Sequence, residues 1–321
     1  MKLGVLGAAD IAKRRFLPAI SGLENVEFTE MAVSSEARLS AALEIAEEFS
    51  GKAVVGYDAL ISNSEIDAVY IPLPPSLHYE WAKKALLAGK HVFVEKPSTT
   101  RLEHTEELVS IAKEKGLAII ENYGFTKHPQ TKLIHKLIGD GAIGEIRNIR
   151  TAFGFPMRPK DDIRHQKKLG GGALLDAGGY TIKAGFEFLG DTAEVVTASL
   201  NYIDDFDVDM YGSLTMENAS GITLQASFGM DCFYKCELEI WGQKGYIKAP
   251  RFYTAPGNLK PQVIVADRDG ETVYEADSIE QFAAQFDYFR ECIENTEIRN
   301  RAYDELVRET EQIEYAFDLA E

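Results

Sequence analysis

Glu95-Lys96-Pro97 follows directly on the apolar run 91–94, and Asp176-Ala177-Gly178-Gly179-Tyr180 comes shortly after Gly170, Gly171 and Gly172. The first motif puts an ammonium at the carboxyl end of an expected parallel strand, and Pro97 biases Lys96 toward extended backbone, so that it points into a crevice. The second offers a carboxylate and a phenol that could meet that ammonium across a domain boundary. Together they suggest an acid/base site. A phenol ordinarily ionises near pH ~10, so a cation beside it is needed to bring it toward neutral pH, and a well-placed proton-transfer group is worth about 10² to 10⁴ in rate.

Other residues look suited to hold a cofactor. Residues 3–12 read as a strand running into a helix, with Gly7, Ala9 and Ala12 at the positions of a G-x-G-x-x-G turn. Small side chains there let the backbone approach a pyrophosphate at the positive end of the helix. Gly7, Ala8, Ala9, Asp10 and Ile11 are the expected contacts. At the end of the second strand, Ser34, Ser35 and Arg38 suit a 2′-phosphate, while Glu36 argues for a free 2′-hydroxyl. NADP is therefore preferred over NAD. The proline-stiffened loop 71–78 brings Leu73, Pro74 and His78 to the same crevice, and Glu95, Lys96 and Asn122 complete the set.

The elements that position these residues change character along the chain. Apolar runs at 3–6, 28–33, 68–72, 92–94 and 117–120 alternate with helical patterns, which is the grammar of a Rossmann-type doubly wound parallel sheet. Ser76 and Gly89 read as the cap and the stop of one helix. Beyond about residue 145, strands at 146–153, 194–202, 211–216, 222–228, 237–241, 246–248 and 262–266 follow one another directly, with helices at 129–137, 180–188 and 281–293. That pattern predicts an α+β domain on a large, open, mostly antiparallel sheet. The expected boundaries are 1–121 and 122–321. Apolar residues alternating along 222–228 and 237–241 are expected to cover the open face by self-association.

Composition narrows the function classes. The 321 residues exceed one ordinary core, and 45% hydrophobic with 26% charged residues is a globular balance without an apolar run long enough to span a bilayer. A net charge of −17 repels nucleic acid, and Lys13-Arg14-Arg15 reads as a solvated helix face. Cys232 and Cys236, spaced i,i+4 on one strand face, are too far apart to bridge, and Cys292 leaves an odd count, so a reducing compartment is expected. With no signal-peptide pattern, the cytoplasm is the expected location. No metal site is expected.

The succession Gly7-x-Ala9-x-x-Ala12, Pro74-x-x-x-His78, Ala88-Gly89-Lys90-His91-Val92-x-x-Glu95-Lys96-Pro97, Gly170-Gly171-Gly172-Ala173-Leu174-Leu175-Asp176-x-Gly178-x-Tyr180 and Gly242-x-Lys244-Gly245 resembles the glucose-fructose oxidoreductase / inositol dehydrogenase / MocA family over nearly the whole chain. The resemblance implies an NAD(P)-dependent enzyme acting on a sugar, polyol or nucleotide-linked keto-sugar, and a homodimer or homotetramer formed through the second domain's sheet. It implies that Lys96 contacts the reacting oxygen beside the nicotinamide, with Asp176 and Tyr180 approaching from the second domain. Many relatives carry histidine where Tyr180 stands. The tyrosine form occurs in dihydrodiol and pentose dehydrogenases, in glucose-fructose oxidoreductase and in some nucleotide-sugar ketoreductases. Ala9, Glu36 and Thr126 depart from the usual glycine, arginine and arginine.

Tyr123, Arg164 and Lys183 complete the expected substrate contacts. Arg164 and Lys183 are also the discriminators: both facing the pocket would favour an anionic or nucleotide-linked substrate, both facing water a neutral diol or pentose. Dihydrodiol or free aldose dehydrogenase is the alternative within the enzyme class. A non-catalytic dinucleotide sensor is the alternative outside it, disfavoured because a sensor has no need of Lys96, Asp176 and Tyr180 together.

Overall fold

The structure is a computed structural model and describes residues 1–321. Strands β1 (Lys2–Leu6), β2 (Glu27–Val33), β3 (Lys52–Val55), β4 (Ala68–Ile71), β5 (His91–Val94) and β6 (Ile119–Glu121) form a parallel sheet in the order β3-β2-β1-β4-β5-β6. The order reverses between β1 and β4, which is where such a sheet opens a crevice at its carboxyl edge. Leu3, Val5, Val69, Ile71 and Phe93 are fully buried because helices cover both faces. Those helices are α1 (Leu17–Ile20), entered through a π-turn at Ala12–Phe16, then α2 (Leu39–Glu48), α3 (Tyr57–Ser62), α4 (Pro75–Leu87) and α5 (Leu102–Lys115). Helix α4 opens on Pro75, whose fixed φ suits a first helical position, so Ser76 lies inside the first turn and is not the cap. Gly89 takes the expected left-handed conformation after its end.

The second sheet contains β7 (Ile146–Gly154), β8 (Glu194–Tyr202), β9 (Asp209–Glu217), β10 (Thr223–Gly229), β11 (Lys235–Gly242), β12 (Gly245–Ala249), β13 (Gln262–Asp267) and β14 (Gly270–Glu275). Its order is β14-β13-β12-β11-β7-β10-β9-β8, antiparallel except for the β10–β7 pair. Helices α6 (Pro129–Gly139) and α7 (Gly179–Leu189) pack on one face. Leu224, Ala226 and Phe228 of β10 and Leu238 and Ile240 of β11 point to that covered face. This reverses the expectation that they coat the open one: with a two-residue period and one buried face, the apolar set belongs inside. The open face carries Gln225, Ser227, Glu237 and Glu239, and its exposed apolar residues include Trp241, Tyr211 and Val196. Cys232 lies in the turn between β10 and β11, not on a strand, and all three cysteines are free.

The chain divides into two compact units, Met1–Asn122 with Phe282–Thr310, and Tyr123–Gln281 with Glu311–Glu321. The expected break after residue 121 is therefore only the first crossing. Helix α8 (Gln281–Glu294) returns Phe286 and Phe289 to the first unit's core beside Phe16 and Phe93. Helix α9 (Thr296–Ala320) gives Tyr303 and Leu306 to the first unit and Ile313 and Ala316 to the second.

Candidate active site

In the first unit, β1 ends at Gly7, whose amide donates to the Ala32 carbonyl at 2.7 Å. Its φ is +103°, and an added Cβ would lie 2.9 Å from Leu73 Cδ2, so the turn requires glycine. The Ala9 carbonyl then accepts the amides of Ala12 and Lys13, opening the helix. Ala12 is fully buried, which explains its small side chain. A turn bare of side chains, leading into the free amides of a helix start, fits a dinucleotide pyrophosphate. Asp10 is directed elsewhere, into an exposed ion pair with Arg14 at 3.2 Å, and Lys13 pairs with Glu44 at 2.7 Å.

Ser34, Ser35 and Arg38 are exposed at the tip of β2. The Tyr57 hydroxyl is hydrogen-bonded to Ser34, feels the Arg38 charge, and lies 3.8 Å from where a Gly7 Cβ would stand. Tyr57 thus links the β2 tip to the Gly7 turn, a role that no motif spacing marked. Trp81 packs edge-on against its ring, with centroids 4.8 Å apart.

Two residues expected to touch the cofactor act instead as supports. His78 is fully buried, with Nδ1 2.7 Å from the Pro97 carbonyl and Nε2 2.7 Å from the Leu73 carbonyl, so it braces one loop against the other. Burial pushes its pKa down to about 4. Asn122 is buried, and its Nδ2 donates to Glu95 Oε1 at 2.8 Å; the Tyr70 hydroxyl donates to the same oxygen at 2.7 Å. Burial shifts the Glu95 carboxyl upward. The Ser98 amide donates to Glu121 Oε1 at 2.6 Å. Lys96, half-buried, therefore leaves β5 between the pinned Glu95 side chain and a Pro97–Ser98 backbone held by His78 and Glu121, and its bond to Pro97 is cis.

In the second unit, the segment 170–180 packs tightly. Gly172 has φ +129°, and an added Cβ would meet Asp209 Oδ1 at 2.4 Å. The chain then forms a π-turn at Leu174–Gly178 and continues into α7, where a Cβ on Gly179 would strike the Tyr123 hydroxyl at 2.2 Å. Asp176 leaves this π-turn, and its Oδ2 accepts Arg164 Nε at 3.0 Å, while Arg164 Nη1 donates to Asp162 Oδ1 at 3.1 Å. Arg164, expected to contact substrate, is thus engaged by two carboxylates and orients one of them.

Tyr180 stands in the first turn of α7, its ring set edge-on against Tyr123 and Phe153 at 4.9 Å each and near Tyr253 at 5.7 Å. Tyr123 and Tyr253 are buried, and the Tyr253 hydroxyl is bonded to Thr151. Tyr123 therefore backs Tyr180 and does not reach outward as expected of a substrate contact. Thr126 donates to the Tyr123 carbonyl at 3.1 Å. Lys183, half-buried, follows Tyr180 by one turn on the same helix face.

Residues 1–123 match the family model "Oxidoreductase family, NAD-binding Rossmann fold" and residues 131–248 match "GFO/IDH/MocA C-terminal domain". The chain belongs to the GFO/IDH/MocA family and is an NAD(P)-dependent oxidoreductase. Over 293 residues it is 40% identical to the dTDP-3,4-didehydro-2,6-dideoxy-α-D-glucose 3-reductase of Actinomadura kijaniata, covering 91% of this chain and 87% of that one. It is 29% identical over 324 residues to D-xylose 1-dehydrogenase (NADP(+)) 2 of Haloferax volcanii, covering 100% and 98%. The crystal structure of KijD10, a 3-ketoreductase from A. kijaniata in complex with NADP and TDP-benzene, superposes with a TM-score of 0.94 at 36% identity, over 99% of this chain and 97% of that one.

Proposed function

We propose that this enzyme reduces a carbonyl on a sugar carried by a nucleoside diphosphate, using NADPH, with Lys96, Asp176 and Tyr180 as its proton-handling and orienting residues. Most support comes from the likeness to the 3-reductase over nearly the full length of both chains. Variants of KijD10 solved separately alter one lysine and one tyrosine, and those two lie the same number of residues apart as Lys96 and Tyr180 here. When bound, the nicotinamide supplies the hydride. Tyr180 delivers a proton to the oxygen, Lys96 provides the positive charge that eases its release, and Asp176, held by Arg164, accepts a bond from a substrate hydroxyl. Ser34, Ser35, Arg38 and Tyr57 favour the 2′-phosphate of NADP, and Glu36 does not alter that preference.

A free aldose dehydrogenase is the second reading. It is favoured by the relative from H. volcanii and by the engagement of Arg164 with two carboxylates, which withdraws one of the two cations expected for an anionic substrate. Steady-state assays decide between them: dTDP-3,4-didehydro-2,6-dideoxy-α-D-glucose with NADPH, against D-xylose and trans-1,2-dihydrobenzene-1,2-diol with NADP. Turnover of the first with NADPH consumption supports the proposal, and turnover of xylose alone supports the second reading. Tight NADPH binding with no turnover of any would leave the dinucleotide sensor.

We also propose a homo-oligomer joined through the open sheet face, where Trp241 is 55% exposed and Tyr211 44%, with the second copy of this chain as the covering partner. No helix is long and apolar enough to cross a membrane. Three free cysteines support a cytoplasmic setting.

A further inference from the structure

Asp209 is 2% exposed at the start of β9, and its Oδ2 accepts the Leu174 amide at 2.7 Å. The Ala173 amide donates to the same carboxyl group. Its other oxygen occupies the space that a Cβ on Gly172 would take. The Gly172 carbonyl in turn accepts the Asp176 amide at 3.0 Å. One buried carboxylate therefore satisfies two of the amides that a helix start leaves open, and fits against the residue that anchors Asp176.

We propose that Asp209 is a positioning residue for the reaction: by binding the Ala173 and Leu174 amides it fixes the phase of the π-turn Leu174–Gly178, and hence the direction in which Asp176 meets Arg164. The proposal rests on the functional reading that Asp176 and Tyr180 serve the chemistry. A π-turn is wide and is found mostly as a single turn at functional sites, so a fixed start is what gives it a fixed exit. Displacement of a reacting group by about an ångström costs up to about 10² in rate, so a residue that touches no substrate can still govern turnover.

Few titratable groups face Asp209. Tyr202 on β8 is its neighbour across the sheet, and its phenol is raised by burial first and by the Asp209 charge second. The π-turn contributes Asp176, already on Arg164, and β10 carries no titratable residue. In the preceding loop, Asp207 accepts the Lys167 amide and Asp205 pairs with Lys160.

The test compares Asp209→Ala, Asp209→Asn, Asp176→Asn and the double variant Asp209→Ala/Asp176→Asn. Turnover is measured with dTDP-3,4-didehydro-2,6-dideoxy-α-D-glucose, NADPH affinity by tryptophan fluorescence, and amide hydrogen exchange at Asp176 without substrate. Asp209→Ala is expected to lower kcat by at least about tenfold, to leave NADPH affinity unchanged and to speed exchange at Asp176. Asp209→Asn, which keeps one accepting oxygen, recovers most of the loss, and in the Asp176→Asn background Asp209→Ala lowers kcat no further. Wild-type exchange at Asp176 in Asp209→Ala, or an equal fall in kcat in both backgrounds, overturns the proposal. Full turnover in Asp176→Asn instead overturns the functional reading beneath it. Should Asp209→Ala not fold, Asp209→Glu decides: it keeps the charge but displaces the carboxylate from the Leu174 amide, so kcat is expected to fall at least about tenfold and exchange at Asp176 to speed while NADPH affinity is unchanged. Wild-type exchange at Asp176 together with full turnover in Asp209→Glu overturns the proposal.

Discussion

Arg164 and Asp176 are joined by a charge-assisted hydrogen bond of 3.0 Å from Nε to Oδ2, and both side chains are largely withdrawn from water. An arginine expected to meet an anionic substrate is instead the partner that aims a carboxylate. Its fork reaches Asp162 at the same time, a geometry that lysine cannot reproduce. Arg164→Gln should therefore lower kcat about 10- to 100-fold with NADPH affinity unchanged, and Arg164→Lys should recover only part. Steady-state kinetics beside a coenzyme titration would show this, and an increase in KM alone would place Arg164 on the substrate.

Lys96→Met should reduce turnover by at least about 10², the usual worth of a placed acid/base group, while NADPH still binds. Tyr180→Phe should do the same, and it keeps the ring that packs edge-on against Tyr123 and Phe153. Either variant working at the wild-type rate contradicts the proton-transfer scheme.

Preference for the phosphorylated coenzyme should reside at the β2 tip. Arg38→Ala and Tyr57→Phe are expected to weaken NADPH binding about tenfold or more, as loss of a charge-assisted hydrogen bond implies, and to leave NADH nearly unaffected. Trp81 lies 4.8 Å from the Tyr57 ring and offers the fluorescence signal for that titration. Parallel losses for both coenzymes would mean that these residues only shape the fold.

His78 should make the fold sensitive to acid. Its folded pKa of about 4 lies below the unfolded value of ~6.5, so its contribution is full above pH ~6.5 and is lost as pH falls toward 4, on the order of 3 kcal/mol over that window. Asp209 has the opposite sign: raised to about 6, it adds stability as pH falls from about 6 toward its unfolded value. Denaturant unfolding across pH should show a shallower acid decline in His78→Asn than in the wild type, and a steeper one in Asp209→Asn.

On the open sheet face, Trp241→Glu should convert the assembly to a smaller species in sedimentation, since Trp241 supplies much of that face's apolar area and Glu239 and Glu237 already lie beside it. An unchanged sedimentation coefficient would contradict the proposed self-association through this face.

Much of this is legible in the sequence. Strands β1, β2, β4 and β5 stand out because both their faces are buried, and β7 to β13 because one face is. Strand β14 was not legible: every residue of it is exposed, so no period marks it. Strand β3 is a short edge strand with the same difficulty. Lys96, Asp176 and Tyr180 were nominated by their motifs and carry the proposed site. Asp209, Tyr57 and Tyr70 were not, because each acts on a partner distant in the chain, and only tertiary folding creates those pairs. Conversely, His78 and Asn122 sit at the right loops, but whether such a side chain points outward or inward is decided by packing that no local pattern encodes.

A nascent chain that has emerged as far as Asn122 already holds all six parallel strands, yet the aromatic layer against Phe16 and Phe93 waits for Phe286 and Phe289. Tyr303 and Leu306 come later still. The coenzyme unit is thus interrupted by the whole of the second unit's main segment, and its apolar flank beside Phe16 and Phe93 stays uncovered until residues 282–310 pack back onto it.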